Sequence, residues 1–227
     1  MNIDKTLIST DFIDSDNNEI IRFANEAIGS EQDQTQKAVK LYYAVRDSIR
    51  YDPYRIQLTP TGLRASATLA QGYGYCVSKA VLLAATGRAV GIPSRIGFSD
   101  VKNHLSSEKL KQVMQSDVFA WHGYTEFYLE NKWVKATPAF NQQLCDKAGI
   151  KPLEFDGIND SIFHEFDQAG NKHMEYLNEH GHFDDVPFQA IVDAYKEHYP
   201  LLTQLIDSQS GVSIEGDFED EATTSAK

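Results

Sequence analysis

The stretch from Gln71-Gly72-Tyr73-Gly74-Tyr75 to Gly91-Ile92-Pro93 constrains the fold of this chain more than any other. Between its ends, Val77, Ala80, Val81, Ala84, Ala85 and Val90 form a near-continuous apolar run, which predicts a buried helix over 76–90. Two glycines permit a sharp bend on the way in. Gly91-Ile92-Pro93 breaks the helix on the way out and leads to a strand over 94–98. Cys76 is the first residue of this helix. A thiol there meets the positive end of the helix dipole and unpaired backbone N–H groups, so a lowered pKa and an oxyanion site are expected. Many cysteines are buried small hydrophobes instead, so the surroundings must argue for chemistry.

Before that segment, 15–28 and 34–50 read as helices. In the second, Ala38, Leu41, Tyr42, Val45 and Ile49 form an apolar stripe that Asp52-Pro53 terminates. Residues 54–75 read as loop with a short helical turn near Ala65–Leu69. Residues 100–118 read as a polar excursion with a short helix around Leu110–Met114. The clearest strand signal is the hairpin His122–Leu129 and Lys132–Pro138, joined at Glu130-Asn131. Residues 139–184 read as loop. A helix is expected from Pro187 to about Ile206, capped by Asp184 or Asp185 and interrupted at Pro200.

Two-residue closure of the hairpin would pair Tyr124 with Thr137 and His122 with Ala139. His122, Tyr124, Glu126, Lys135 and Thr137 would then share one face, and Phe127, Leu129, Val134 and Ala136 the apolar one. Thr137 becomes a diagonal neighbour of His122. A three-residue loop would reverse the faces. Helix-then-strand packing can bring Cys76 and His122 together as nucleophile and base.

Composition narrows the function classes. A formal charge of −12, with no run of Lys or Arg, argues against a nucleic-acid surface. No stretch approaches a membrane span, and Met1-Asn2-Ile3-Asp4-Lys5 lacks an export pattern. The expected location is therefore cytoplasmic, with Cys76 and Cys145 as reduced thiols. Cys145 lies in no motif and reads as structural. One domain over 1–206 is expected, with a core over about 37–141, an extension over 142–206, and an acidic mobile tail over 207–227.

Gly72-Tyr73-Gly74-Tyr75-Cys76, the apolar helix, Gly91-Ile92-Pro93-Ser94-Arg95, Trp121-His122-Gly123-Tyr124-Thr125-Glu126-Phe127-Tyr128 and Lys132-Trp133-Val134-Lys135-Ala136-Thr137-Pro138 occur in that order. In these blocks the chain resembles the transglutaminase-like superfamily, and Pro152–Glu175 is similar to the tail of its bacterial single-domain, cysteine-protease-type members. The resemblance implies an α+β fold with a transglutaminase-like, papain-like core: N-terminal helices, a nucleophile-bearing helix and an antiparallel sheet. It implies a Cys76–His122 pair acting on a peptide, protein or small amide through a thioester, without a cofactor. Hydrolysis is the expected outcome, with acyl transfer to an amine as the variant.

The family's third residue is usually an aspartate before the proline, and Thr137 stands there. A hydroxyl can orient an imidazole but supplies no negative charge. Asn141 and Asp156 are alternative orienting residues outside the motif. Tyr73, Tyr75 and Trp121 are candidates for a substrate groove, and Arg95 for a fold anchor. Two rival readings stand beside the enzyme. One is a catalytically silent binding module, which the threonine favours. The other is a metal-binding protein using His164, Asp167, His173, His180 and His182, whose spacing matches no metal motif.

Overall fold

The computed structural model describes residues 3–103, 108–163, 174–207 and 214–222. It opens with α1 (Asn18–Ile28) and α2 (Gln34–Ser48), whose first turns are capped by the side chains of Asn17 and Asp33. β1 (Arg50–Tyr51), α3 (Ala65–Gln71) and β2 (Tyr73–Gly74) follow, with β1 and β2 paired in parallel. Of this small ladder, β2 was expected to be loop and Arg50 of β1 the last residue of a helix. The ladder fixes the approach to α4 (Cys76–Ala89), because Arg50 N and Asp52 N donate to the carbonyls of Gly72 and Gly74.

β3 (Ser94–Asn103), α5 (Glu108–Met114), β4 (Val118–Leu129), β5 (Lys132–Ala136), α6 (Gln142–Ala148) and β6 (Met174–Phe183) come next. β5, β4, β3 and β6 lie in that order in one antiparallel sheet. α7 (Phe188–His198), α8 (Pro200–Asp207) and α9 (Phe218–Ala222) complete the described chain. The architecture is α+β, as the residue pattern and the resemblance both implied.

The hairpin closes in the two-residue register, with Leu129 opposite Lys132 and Thr125 opposite Ala136. Glu130 and Asn131 both take positive φ, the conformation that matches a tight turn to the twist of its strands. α4 packs on one face of the sheet and is buried from Cys76 to Arg88. Thr125 Oγ1 on β4 donates to Ala80 O on the helix at 2.8 Å, and added atoms at Gly87 would strike the Phe127 ring. The buried Lys79 ammonium donates to the carbonyls of Arg46 and Ile49, tying α4 to the C-terminal end of α2.

Several expectations are corrected. β3 runs five residues beyond Phe98, into the segment expected to be a polar excursion. β6 and α6 lie in the stretch read as loop. β6 is hydrogen-bonded on one side only, and such edge strands tolerate the polar sequence that hid it. α7 starts after Pro187 with no side-chain cap, not on Asp184 or Asp185. Part of the expected mobile tail is packed. Ile214 and Phe218 are buried, Phe218 edge-on to Tyr51 and Tyr54, while Asp217 meets Arg50 and Asp220 meets Lys147.

Candidate active site

Cys76 occupies the first turn of α4, preceded by Tyr75 in an extended conformation. The approach is tight: a Cβ on Gly74 would lie 2.4 Å from Ser78 Oγ. Ser78 Oγ accepts the Tyr75 N–H at 3.0 Å, which locks the turn. Backbone N–H groups of Gly123, Val77 and Cys76 itself are directed at the sulfur. The Gly123 contact depends on its residue type, because a Cβ there would sit 2.9 Å from Val77 Cα. β4 can approach the helix terminus this closely only with glycine. The residue next to His122 thus touches the nucleophile.

His122 is 2% exposed, with its ring edge-on to Phe163 at 5.4 Å and Phe163 tilted against Phe140. Its Nε2 has no hydrogen-bond partner among the described residues. Thr137, 1% exposed, is in the same condition at Oγ1. The Thr137 backbone is held firmly: its N–H donates to Ser161 O at 3.1 Å and its carbonyl accepts from Tyr42 at 3.1 Å. The β4–β5 ladder ends one residue earlier, with Ala136 opposite Thr125, so the pairing of Thr137 with Tyr124 expected from the hairpin does not form. The Thr137 and His122 side chains are not hydrogen-bonded to each other.

The alternative orienting groups are occupied elsewhere. Asn141 Oδ1 accepts from Tyr51 N and its Nδ2 donates to Glu219, so the amide ties β1 to α9. The exposed Asp156 carboxylate accepts from the backbone of Ile158 and Asn159 and from the Asn159 side chain. Arg95 forms a buried ion pair with Glu126 and lies 4.0 Å over the Trp133 ring, the anchoring role expected of it.

The electrostatics differ from the sequence expectation. Burial pushes the Cys76 thiol up to about 11, overriding the three N–H groups that favour the thiolate. Burial likewise pulls the His122 imidazole down to about 4. Both groups are neutral at rest near pH 7, and the expected low-pKa thiol is absent. The helix dipole was legible in the sequence; the depth of burial was not.

Sequence reasoning missed the device that sets His122. β4 carries a bulge where Trp121 takes a φ of +56, and Trp121 N donates to Asp100 Oδ1 at 3.0 Å. The same carboxylate oxygen lies 2.7 Å from His180 Nε2, and the His180 ring stacks on Trp121 at 4.3 Å. Trp121 therefore braces the bulge. Of the tyrosines, Tyr75 lines the pocket beside Cys76, whereas Tyr73 lies under Arg55 in a separate depression. Among the described residues no group of three His, Cys, Asp or Glu side chains is arranged to hold a metal. His164, Asp167 and His173 fall outside those residues, and His182 sits on β6 opposite Gly97. Cys76 and Cys145 are both buried free thiols, and no described helix is long and apolar enough to cross a membrane.

Among solved structures, a protein named "Putative Cysteine Protease" from Cytophaga hutchinsonii is similar at 18% identity and a TM-score of 0.47. That match covers 78% of this chain and 54% of the other. A protein named "Putative Protease" from Parabacteroides distasonis is similar at 18% identity and a TM-score of 0.39, over 60% of this chain and 25% of the other. This chain therefore spans about half the length of the first and a quarter of the second. No curated protein matches it. The model of the transglutaminase-like superfamily matches residues 21–138, just over half of the sequence and including Cys76 and His122, and the chain belongs to that superfamily.

Proposed function

We propose that this protein is a thiol-dependent hydrolase of peptide or other amide bonds, with Cys76 as nucleophile and His122 as general base and acid. The observation that carries the reading is the seat of Cys76. It lies in the first turn of a buried helix, under converging N–H groups, against the residue that follows His122. Such N–H groups can hold the oxygen of a tetrahedral intermediate.

In the reaction, His122 takes the Cys76 proton as sulfur attacks the carbonyl carbon. Because thiol and imidazole are both neutral at rest, that proton moves during attack and not beforehand. The carbonyl reforms as the C–N bond breaks, and His122 returns the proton to the departing amine. Water then adds to the thioester, giving its proton to His122, and the thiol leaves with that proton, releasing a carboxylic acid. An amine in place of water would give acyl transfer. Two buried reduced thiols suit a cytoplasmic setting.

A second reading, a silent binding module on the same fold, is favoured by the hydroxyl at Thr137 and the low imidazole pKa. Hydrolysis of a peptide library by the full chain, Cys76→Ala and His122→Ala separates the two. Cleavage lost in both variants, with unchanged melting, supports the enzyme. Cleavage that survives Cys76→Ala refutes the thiol mechanism, and none in the full chain supports the module.

A further inference from the structure

β3 and β4 pair their side chains rung by rung on one face of the sheet. Arg95 stands opposite Glu126, Gly97 opposite Tyr124 and Ser99 opposite His122. The first two rungs show that such partners meet: Arg95 and Glu126 form the buried ion pair, and a Cβ on Gly97 would strike the Tyr124 ring. Residues directly opposite in an antiparallel pair hold their Cβ atoms about 5 Å apart. The next rung therefore brings the Ser99 and His122 side chains together on that face. Ser99 is buried as deeply as His122, and neither Ser99 Oγ nor His122 Nε2 has a hydrogen-bond partner among the described residues. A buried polar atom without a partner is costly, and two on one rung can satisfy each other. Rotating the serine hydroxyl between the staggered positions about its Cα–Cβ bond is the adjustment this needs. Thr137 has no comparable tie to His122, because it lies past the last rung of the β4–β5 ladder.

We propose that Ser99 is the positioning residue of His122: its Oγ accepts the Nε2–H hydrogen bond and so fixes the tautomer that leaves Nδ1 free to act on Cys76. This rests on His122 being the general base for Cys76. The third group of such a site holds the ring and selects the nitrogen that carries the proton. A serine does both without adding a charge. When Nδ1 takes the Cys76 proton, the Nε2–H stays on Ser99 Oγ, which accepts throughout and gives up no proton of its own.

The test is NMR of the histidine-labelled full chain, Ser99→Ala, Ser99→Thr and Thr137→Val, and needs no turnover. In the full chain the His122 Nε2–H proton should show an NOE to the Ser99 β-protons. Ser99→Ala should move that proton upfield, and Ser99→Thr, which keeps the hydroxyl, should return it. A full chain in the Nδ1–H tautomer, a missing NOE, or a shift that follows Thr137→Val and not Ser99→Ala overturns the proposal. The NOE is read on the full chain, so it decides even if a variant does not fold. On a peptide that the full chain cleaves, Ser99→Ala should lower kcat about two- to tenfold at unchanged KM, the effect of one neutral hydrogen bond lost. Cys76-dependent cleavage beside an Nε2–H signal indifferent to Ser99 removes this inference and leaves the hydrolase standing. A signal that follows Ser99 in a chain that cleaves nothing keeps the contact and removes the hydrolase.

Discussion

Replacing Thr137 by aspartate introduces a carboxylate just past the end of β5, on a backbone already pinned by Ser161 and Tyr42. Its effect follows from the two resting pKa values. With the thiol at about 11 and the imidazole at about 4, moving the proton from sulfur to nitrogen is disfavoured about 10⁷-fold before the charges attract. Were sulfur and imidazole to close to about 4 Å during attack, an effective dielectric of about 20 would recover about 4 kcal/mol, a factor of about 10³. The wild-type thiolate–imidazolium pair is then populated at about one part in 10⁴. A carboxylate at similar range from the imidazolium contributes up to the same factor again, so the variant reaches at most about one part in ten. Cys76 in Thr137→Asp should therefore be alkylated by iodoacetamide at pH 7 at least tenfold and at most about 1000-fold faster than in the wild type. Peptide-resolved mass spectrometry reads the rate, with buried Cys145 as internal reference. A folded Thr137→Asp protein whose Cys76 reacts at the wild-type rate would refute the electrostatic reasoning. So would a wild-type Cys76 that already reacts well below the pH of a free thiol, near 8.5.

Two further outcomes follow from the geometry. Gly123→Ala forces a methyl to 2.9 Å from the Val77 backbone, so β4 must withdraw from the helix terminus. A loss of about 1–3 kcal/mol in urea melts is expected, together with loss of any Cys76-dependent activity; an equally stable, equally active variant contradicts the packing described. His122 contributes a definite acid sensitivity. Its folded pKa lies below the unfolded value, so between about pH 6.5 and 4 the unfolded chain binds the extra proton and stability falls as pH falls. The full traverse amounts to about 3 kcal/mol, and a folded His122→Phe variant should lose that part of the slope in melts taken at successive pH values. A wild-type chain as stable at pH 4 as at pH 6.5 would place the imidazole in a more solvated site.

What the sequence revealed about the site depended on whether a local pattern determined it. The hairpin register was legible because alternation of Phe127, Leu129, Val134 and Ala136 admits one closure once Glu130 and Asn131 form the turn. The nucleophile helix was legible because Gly91-Ile92-Pro93 and the glycine-bearing loop bracket an unbroken apolar run. β6 was not, because an edge strand carrying Asn178, Glu179, His180 and His182 has little of the alternation that marks a half-buried strand. Nor was the brace at Asp100, which joins Trp121 and His180 across 80 residues of sequence. α9 shows the same limit: an acidic pentamer reads as solvated until Asn141 and Lys147 are in place to receive Glu219 and Asp220. The sign of the Cys76 shift depends on total burial, a tertiary property. Inference from the helix terminus alone therefore gave the wrong direction.

The most direct measurement is acid-quenched mass mapping of the full chain during turnover of a peptide library, with and without hydroxylamine, beside His122→Ala. A thiol mechanism predicts one acyl group on the Cys76 peptide, removed by hydroxylamine, forming far more slowly in His122→Ala. Product release with no adduct on Cys76, or an adduct carried by another residue, would contradict it.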